Sequence, residues 1–370
     1  MIYKNVPFSE KTEAPTCLAD IIRGVHKVTY DEVVYSDLSY PRFRTVTLDE
    51  ETDVNIEAFT LEKLGCLFSA INLADGTEKT TESFKIPKKN GKWRTITAPT
   101  GEYKAHLTTL TSILNQCFMC TPDNAYAYVK GRCIMNAVNR HKNNNWFLKM
   151  DLTNFFGSIT KETLTTQLKK TYPFAYLQTD AINKLVDFVT MDNVLPQGTP
   201  TSPVLTNIFM TEFDCKMQDY VNKINKENDE NVVYTRYADD ILISSKKKET
   251  IDDVMFIPQI NMLLGELGLS INPEKTRIGS IAGRNWNLGL MLNKDHNITI
   301  GHNKTRKYKA MMYQTILRFK DGDTQLHFEF PEINGKLMWL KQVEPEYFEY
   351  LVKHYEEKTG VNYYTIQSSL

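Results

Sequence analysis

Two β-rich runs, residues 232–237 and 241–244, are separated only by Ala238-Asp239-Asp240. So short a separation predicts an antiparallel hairpin with two adjacent carboxylates in its turn. Adjacent carboxylates repel each other unless a cation lies between them. Neighbouring strand residues also point to opposite faces, so only one of the pair can be a full metal ligand unless the turn twists sharply. A further carboxylate, Asp151, ends the apolar run 145–151. Together the three offer hard oxygen donors suited to Mg2+. An Asp-Asp turn on its own is more often a solvated loop, so its surroundings decide.

Strand and helix patterns alternate along the chain and helices gather toward its end, which predicts an α+β core followed by a helical unit. The run 84–87, the Asn90-Gly91 turn and the run 93–97 predict a basic β-hairpin. Thr60 is the expected cap of a helix with apolar Leu61, Leu64, Leu67 and Phe68 at helical spacing. Further helices are expected over about 103–117, 161–170, 179–189 and 202–220, and from beyond Lys248 to about 267. Residues 196–200 form a turn-rich loop. Beyond about residue 300, Tyr308, Met311, Met312, Ile316 and Phe319 recur at helical spacing.

With 370 residues, 41% hydrophobic and 24% charged, the chain can bury cores for about two to three structural units. Its formal net charge is −1, so a nucleic-acid partner requires a basic channel balanced by an acidic exterior. Cys17, Cys66, Cys117, Cys120, Cys133 and Cys215 are expected to be reduced thiols of a cytoplasmic protein. Cys117 and Cys120 have C-x-x-C spacing, but no second pair completes a zinc set; half-buried positions at a helix end are expected. No signal-peptide pattern occurs, and no apolar run approaches the roughly 20 residues that span a bilayer, so no membrane partner is expected.

Five segments recur in an order that carries more than any one of them. They are Lys92-Trp93-Arg94-Thr95-Ile96 with Pro99; residues 149–159, containing Asp151-Leu152-Thr153-Asn154-Phe155-Phe156-Gly157-Ser158-Ile159; and Leu195-Pro196-Gln197-Gly198-Thr199-Pro200-Thr201-Ser202-Pro203. Tyr237-Ala238-Asp239-Asp240 and Asn272-Pro273-Glu274-Lys275-Thr276 follow. Over roughly residues 84–355 this series resembles the motifs of bacterial reverse transcriptases. The resemblance implies a right-hand polymerase with an antiparallel palm sheet and a helical thumb. Fingers are expected over 81–145, palm over 146–290 with finger elements around 160–195, and thumb and tail over 291–370. Residues 1–80 are an N-terminal extension of unknown role.

The resemblance further implies an RNA-directed DNA polymerase that uses two Mg2+ ions, with Mn2+ as a substitute. Asp151, Asp239 and Asp240 would hold them, with the Leu152 carbonyl as an additional oxygen. Arg94 would contact the incoming triphosphate through its fixed donor fork. Gln197 would lie against the nucleotide, Gly198 would let backbone approach it, and Lys275 joins the same site. Phe156, five residues after Asp151, matches the position whose ring excludes a 2′-hydroxyl. Gly289 falls in a segment that resembles the one positioning the primer end. Lys88, Lys89 and Lys92, then Lys130, Arg132 and Arg140, then Lys304, Arg306 and Lys307 are candidate nucleic-acid contacts; a solvated face is the plain alternative for each.

Asn136-Ala137 followed by His141 resembles the Asn-Ala-x-x-His of retron enzymes with one residue added. Asn287-Leu288-Gly289 stands where those enzymes carry Val-Thr-Gly. Intron-encoded relatives add a region after the thumb, and diversity-generating ones alter the Pro-Gln-Gly loop. By elimination a defence-associated enzyme is expected, copying a companion non-coding RNA into DNA from dNTPs during phage infection, as a homo-oligomer or beside a companion protein. A retron-type enzyme making RNA-linked DNA, an RNA-templated RNA polymerase and a non-catalytic RNA-binding scaffold are the alternatives. Tyr363 and Tyr364 leave priming from a protein hydroxyl open.

Overall fold

A computed structural model of the chain describes residues 27–35, 41–49, 56–87, 91, 93–118, 121–251, 253–283 and 285–370. The chain opens with β1 (Lys27–Tyr35), β2 (Pro41–Asp49), α1 (Ile56–Ala74), β3 (Thr81–Pro87), β4 (Trp93–Pro99) and α2 (Gly101–Cys117). It continues through α3 (Ile134–Arg140), β5 (Trp146–Asp151), α4 (Phe155–Ser158), α5 (Lys161–Lys170), α6 (Thr179–Val189) and α7 (Ser202–Asn228). Next come β6 (Val233–Tyr237), β7 (Asp240–Ser245), α8 (Asp253–Glu266), β8 (Arg277–Ser280), β9 (Asn285–Asn287), β10 (Leu290–Leu292) and β11 (Ile298–Thr299). The helices α9 (His302–Lys320), α10 (Leu326–Val343), α11 (Pro345–Thr359) and α12 (Tyr363–Ser369) end it.

The site rests on an antiparallel sheet of order β6-β7-β5-β8. Strand alternation divides its side chains between two faces. Leu148 and Met150 of β5, with Ile241 and Ile243 of β7, enter the main core beside Leu107, Leu185, Phe209 and Phe256 from the helices. Phe147 and Leu242 point the other way and pack on Leu292 of β10. Burying each such aliphatic or aromatic side chain stabilises the fold by about 1.5–3 kcal/mol. One-residue slippage of β5 would exchange its faces and take Asp151 out of register with β7.

A second core binds the C-terminal helices: Met312 and Ile316 of α9, Leu337 and Leu340 of α10, Phe348 and Leu351 of α11, Ile366 of α12. Leu290 of β10 and Val138 of α3 belong to it, which ties this unit to the central sheet. Tyr363 is fully buried there, its hydroxyl donating to Asn334 Oδ1 at 3.0 Å, so it presents no priming hydroxyl.

Several boundaries differ from the sequence expectation. Helix α1 begins at Ile56, so Thr60 lies inside it rather than at its start. Helix α7 runs to Asn228 because Val221 and Ile224 carry the buried stripe past Tyr220 through a mostly polar stretch. Cys117 is fully buried rather than half-buried, and burial pushes its thiol far up. Cys66, Cys117, Cys133 and Cys215 form no disulfide, while Cys17 and Cys120 lie outside the described residues. Among the described residues no helix is long and apolar enough to cross a membrane.

Candidate active site

The β6–β7 hairpin closes on the pair Tyr237↔Asp240, with Ala238 and Asp239 as its two turn residues. Ala238 has φ 56°, the left-handed region that a hairpin turn of this length requires. On the neighbouring strand Asp151 is the direct partner of Asp240. Leu152 N–H donates to Asp239 C=O at 3.0 Å, which fixes the turn against the end of β5. The three aspartates expected to act together therefore lie at one corner of the sheet.

Their electrostatics express a shortage of positive charge. Burial, then Asp239 and Asp151, pushes Asp240 up to about 7. Burial chiefly, with Asp151 adding, also raises Asp239, while Lys275 and Arg94 oppose the rise. Lys275 is the nearest compensating cation, its Nζ 2.7 Å from Asp151 Oδ2. A short 3-10 turn, Pro273–Lys275, delivers it; Asn272 starts that turn with its N–H donating to Asp151 C=O at 2.8 Å. Among the described residues no three carboxylate, histidine or cysteine side chains converge into a finished metal cage. The donor set nonetheless suits a hard cation, since a lysine already takes one oxygen and two of the acids are destabilised as anions.

Of the other expected residues, Arg94 is tied to this corner by its charge, and Gln197 and Gly198 to the strand that carries Arg94. Arg94 lies on β4, exposed, and acts electrostatically on Asp239. The loop before α7 docks on the same strand: Thr97 N–H donates to Gln197 C=O at 2.8 Å. Gly198 has φ 110°, and a Cβ there would lie 2.7 Å from both Ile96 Cγ2 and Thr97 O, so the loop is pressed against β4. Phe155 is core, whereas Phe156 is half-buried with its ring 5.5 Å from that of Phe155.

The basic candidates divide. Arg132 is committed to its own loop, donating to Pro122 O and to Ala125 O at 2.7 Å, and to Asp123 at 3.2 Å. Most of its fork is thus occupied by carbonyls of that loop. Lys130, Arg140, Arg306 and Lys307 are exposed. Lys304 reaches Gly289 O at 3.5 Å and lies 6.0 Å over the Trp286 ring. Gly289 has φ 81° with open space about it, so its turn and not crowding calls for glycine. Lys88, Lys89 and Lys92 lie outside the described residues.

Residues without a motif complete the corner. Fully buried Arg236 forks onto Asp214 of α7, Nε to Oδ1 at 2.9 Å and Nη2 to Oδ2 at 2.7 Å. It also donates to Ala238 C=O at 3.1 Å, holding the acidic turn from behind. Tyr234 donates to Asp214 Oδ1 at 2.6 Å. On the open face Lys149 donates to Trp286 C=O at 2.8 Å and is lowered to about 8 by burial and by Arg277, its cross-strand partner. A lone Asp in an apolar helix pattern was the one sign in the sequence of such a network.

Comparison with known proteins agrees with this geometry. The family model for Reverse transcriptase (RNA-dependent DNA polymerase) matches residues 86–335. Retron Ec83 reverse transcriptase of Escherichia coli is 29% identical over 289 residues, covering 75% of this chain and 87% of that protein. Retron Ec73 reverse transcriptase of Escherichia coli is 29% identical over 293 residues, covering 74% and 86%. A solved structure of telomerase from Candida albicans with a fragment of telomeric RNA covers 95% of this chain and 69% of its own, at 12% identity and TM-score 0.45. The chain belongs to the reverse transcriptase family, with that family's α+β right-hand polymerase fold, and is an RNA-directed DNA polymerase.

Proposed function

We propose that Asp151, Asp239 and Asp240, with the Leu152 carbonyl, hold two divalent cations, Mg2+ with Mn2+ as a substitute, where DNA is extended. The meeting of Asp151 and Asp240 as direct strand partners, beside a turn fixed by Leu152 and Arg236, carries the reading. When bound, such ions lower the pKa of an attacking hydroxyl and neutralise charge on the leaving phosphate. The chain's own groups orient the reactants. Arg94 and Lys275 bind the triphosphate of a dNTP, and Gln197 with Gly198 supports its base and sugar. Phe156 excludes a 2′-hydroxyl. Lys130, Arg140, Lys304, Arg306 and Lys307 follow nucleic-acid backbone, with Lys88, Lys89 and Lys92 on the fingers and Gly289 at the primer end.

In this reading residues 81–145 act as fingers, 146–290 as palm with finger elements around 160–195, and 291–370 as thumb and tail. The template is a companion non-coding RNA. The retron names of the relatives support a retron-type enzyme making RNA-linked DNA, while the anti-phage setting rests on elimination among bacterial branches. A bare RNA scaffold would have no use for three clustered carboxylates.

Primer extension on an RNA template tests the site. Replacing Asp239→Asn and Asp240→Asn together is expected to cut dNTP incorporation by about a thousandfold with RNA binding retained. Undiminished incorporation would sink the assignment. Sequencing the RNA and DNA that co-purify with each version identifies the template: complementary DNA should accompany only the unaltered chain.

A further inference from the structure

Residues 124–128 match no motif, yet this loop is firmly held. Arg236 N–H donates to Asn124 C=O at 2.7 Å, and Tyr126 N–H donates to Arg236 C=O at 2.9 Å. The Asn207 side chain donates to Ala127 C=O at 2.8 Å, and Arg132 to Ala125 C=O at 2.7 Å. Ala125 pairs with Arg236 in the parallel sense. This isolated bridge anchors the loop beside β6, three residues before Asp239, and Tyr128 follows it in a turn.

At this place Tyr128 adopts φ 61°, a conformation unfavourable for a bulky side chain. The ring does not fill the core in return, since the residue is 47% exposed. Tyr128 is in electrostatic reach of Asp239, Tyr237 and Arg94, and partial burial raises its phenol above its ordinary value. A half-exposed aromatic face near the acidic turn, held there at a backbone cost, suits a contact made with substrate rather than with the fold.

We propose that Tyr128 is a substrate-contacting residue whose ring packs on the base pair formed between template and incoming nucleotide. The inference rests on the reading of Asp151, Asp239 and Asp240 as the polymerase centre.

The full chain, with an annealed RNA template and DNA primer, provides the test. Single-dNTP incorporation and thermal unfolding are compared for the unaltered chain, Tyr128→Gly and Tyr128→Phe. Glycine relieves the backbone and removes the ring, so Tm should hold or rise by about 2 °C. Its kcat/KM for the correct dNTP should fall about tenfold, as expected for a lost ring–base contact. Phe keeps the ring and should stay within about threefold of the unaltered chain. Undiminished kcat/KM in Tyr128→Gly overturns the proposal. A fall in Tm together with activity also overturns it, because the ring would then serve the fold. No incorporation by the unaltered chain would instead defeat the underlying assignment of the centre.

Discussion

His141 is fully buried between Ser244 Oγ at 2.7 Å and Thr235 Oγ1 at 2.8 Å. Burial lowers it to about 3, so it folds neutral. The unfolded chain takes up its proton below about pH 6.5, and the folded chain does not until about 3. Stability from this residue is thus present above pH 6.5 and is lost as pH falls, by up to about 1.4 kcal/mol per unit. Urea unfolding from pH 6.5 to 5 should show a shallower decline in His141→Gln than in the unaltered chain. Phe156→Ala should lower discrimination against ribonucleotides at least about tenfold, measured as the ratio of dNTP to rNTP incorporation. Unchanged discrimination would remove Phe156 from the sugar site. The positions of Asp239, Asp240 and Asp151 were legible from the sequence, a short turn and a strand end, while the accompanying motifs supplied the reason to read them as a site. Phe156 needed the family resemblance, since two adjacent aromatics are usually core; Phe155 is core and Phe156 only half so. His141 stood in the sequence only as a displaced motif residue, because nothing local announces a buried polar pocket.

The hairpin β6–β7 was legible as an element, but what holds it was not. Its support comes from α7, where Asp214 receives both Arg236 and Tyr234. Nothing in the spacing of residues 214 and 236 reveals that they touch, because the contact depends on how a helix lies across a sheet. Buried ion pairs of this kind are costly to break and contribute little net stability. Asp214→Asn or Arg236→Lys should destabilise the chain by about 3 kcal/mol in urea. Asp214→Leu, Arg236→Met and Tyr234→Phe together should recover most of that stability. The triple variant should remain impaired in incorporation, since nothing then holds Ala238 C=O. Recovery of both properties would show that the network serves packing alone. The end of α7 was missed for a plainer reason: a buried stripe can continue beneath polar neighbours.

Across the whole molecule, two cores meet through β10, with Leu292 against the sheet and Leu290 among the C-terminal helices. The α+β core and helical end followed from periodicity, while this junction depends on strands of two or three residues that carry no pattern. A ligand that binds only the folded chain raises its stability. Asp240 without a cation holds a proton that the unfolded chain has already lost, so stability falls as pH rises from about 4 to 7. Adding Mg2+ should therefore raise Tm more at pH 8 than at pH 6, and Asp151→Asn should abolish most of that gain. An equal rise in both versions would place the cation elsewhere.

The seam between Thr97 and Gln197 has a mechanical consequence. Arg94 sits on the strand that Gln197 is bonded to, and Gly198 leaves no slack between them. The β3–β4 hairpin and the loop before α7 are thus joined into one surface, and any shift of the hairpin would carry the Gln197 backbone with it.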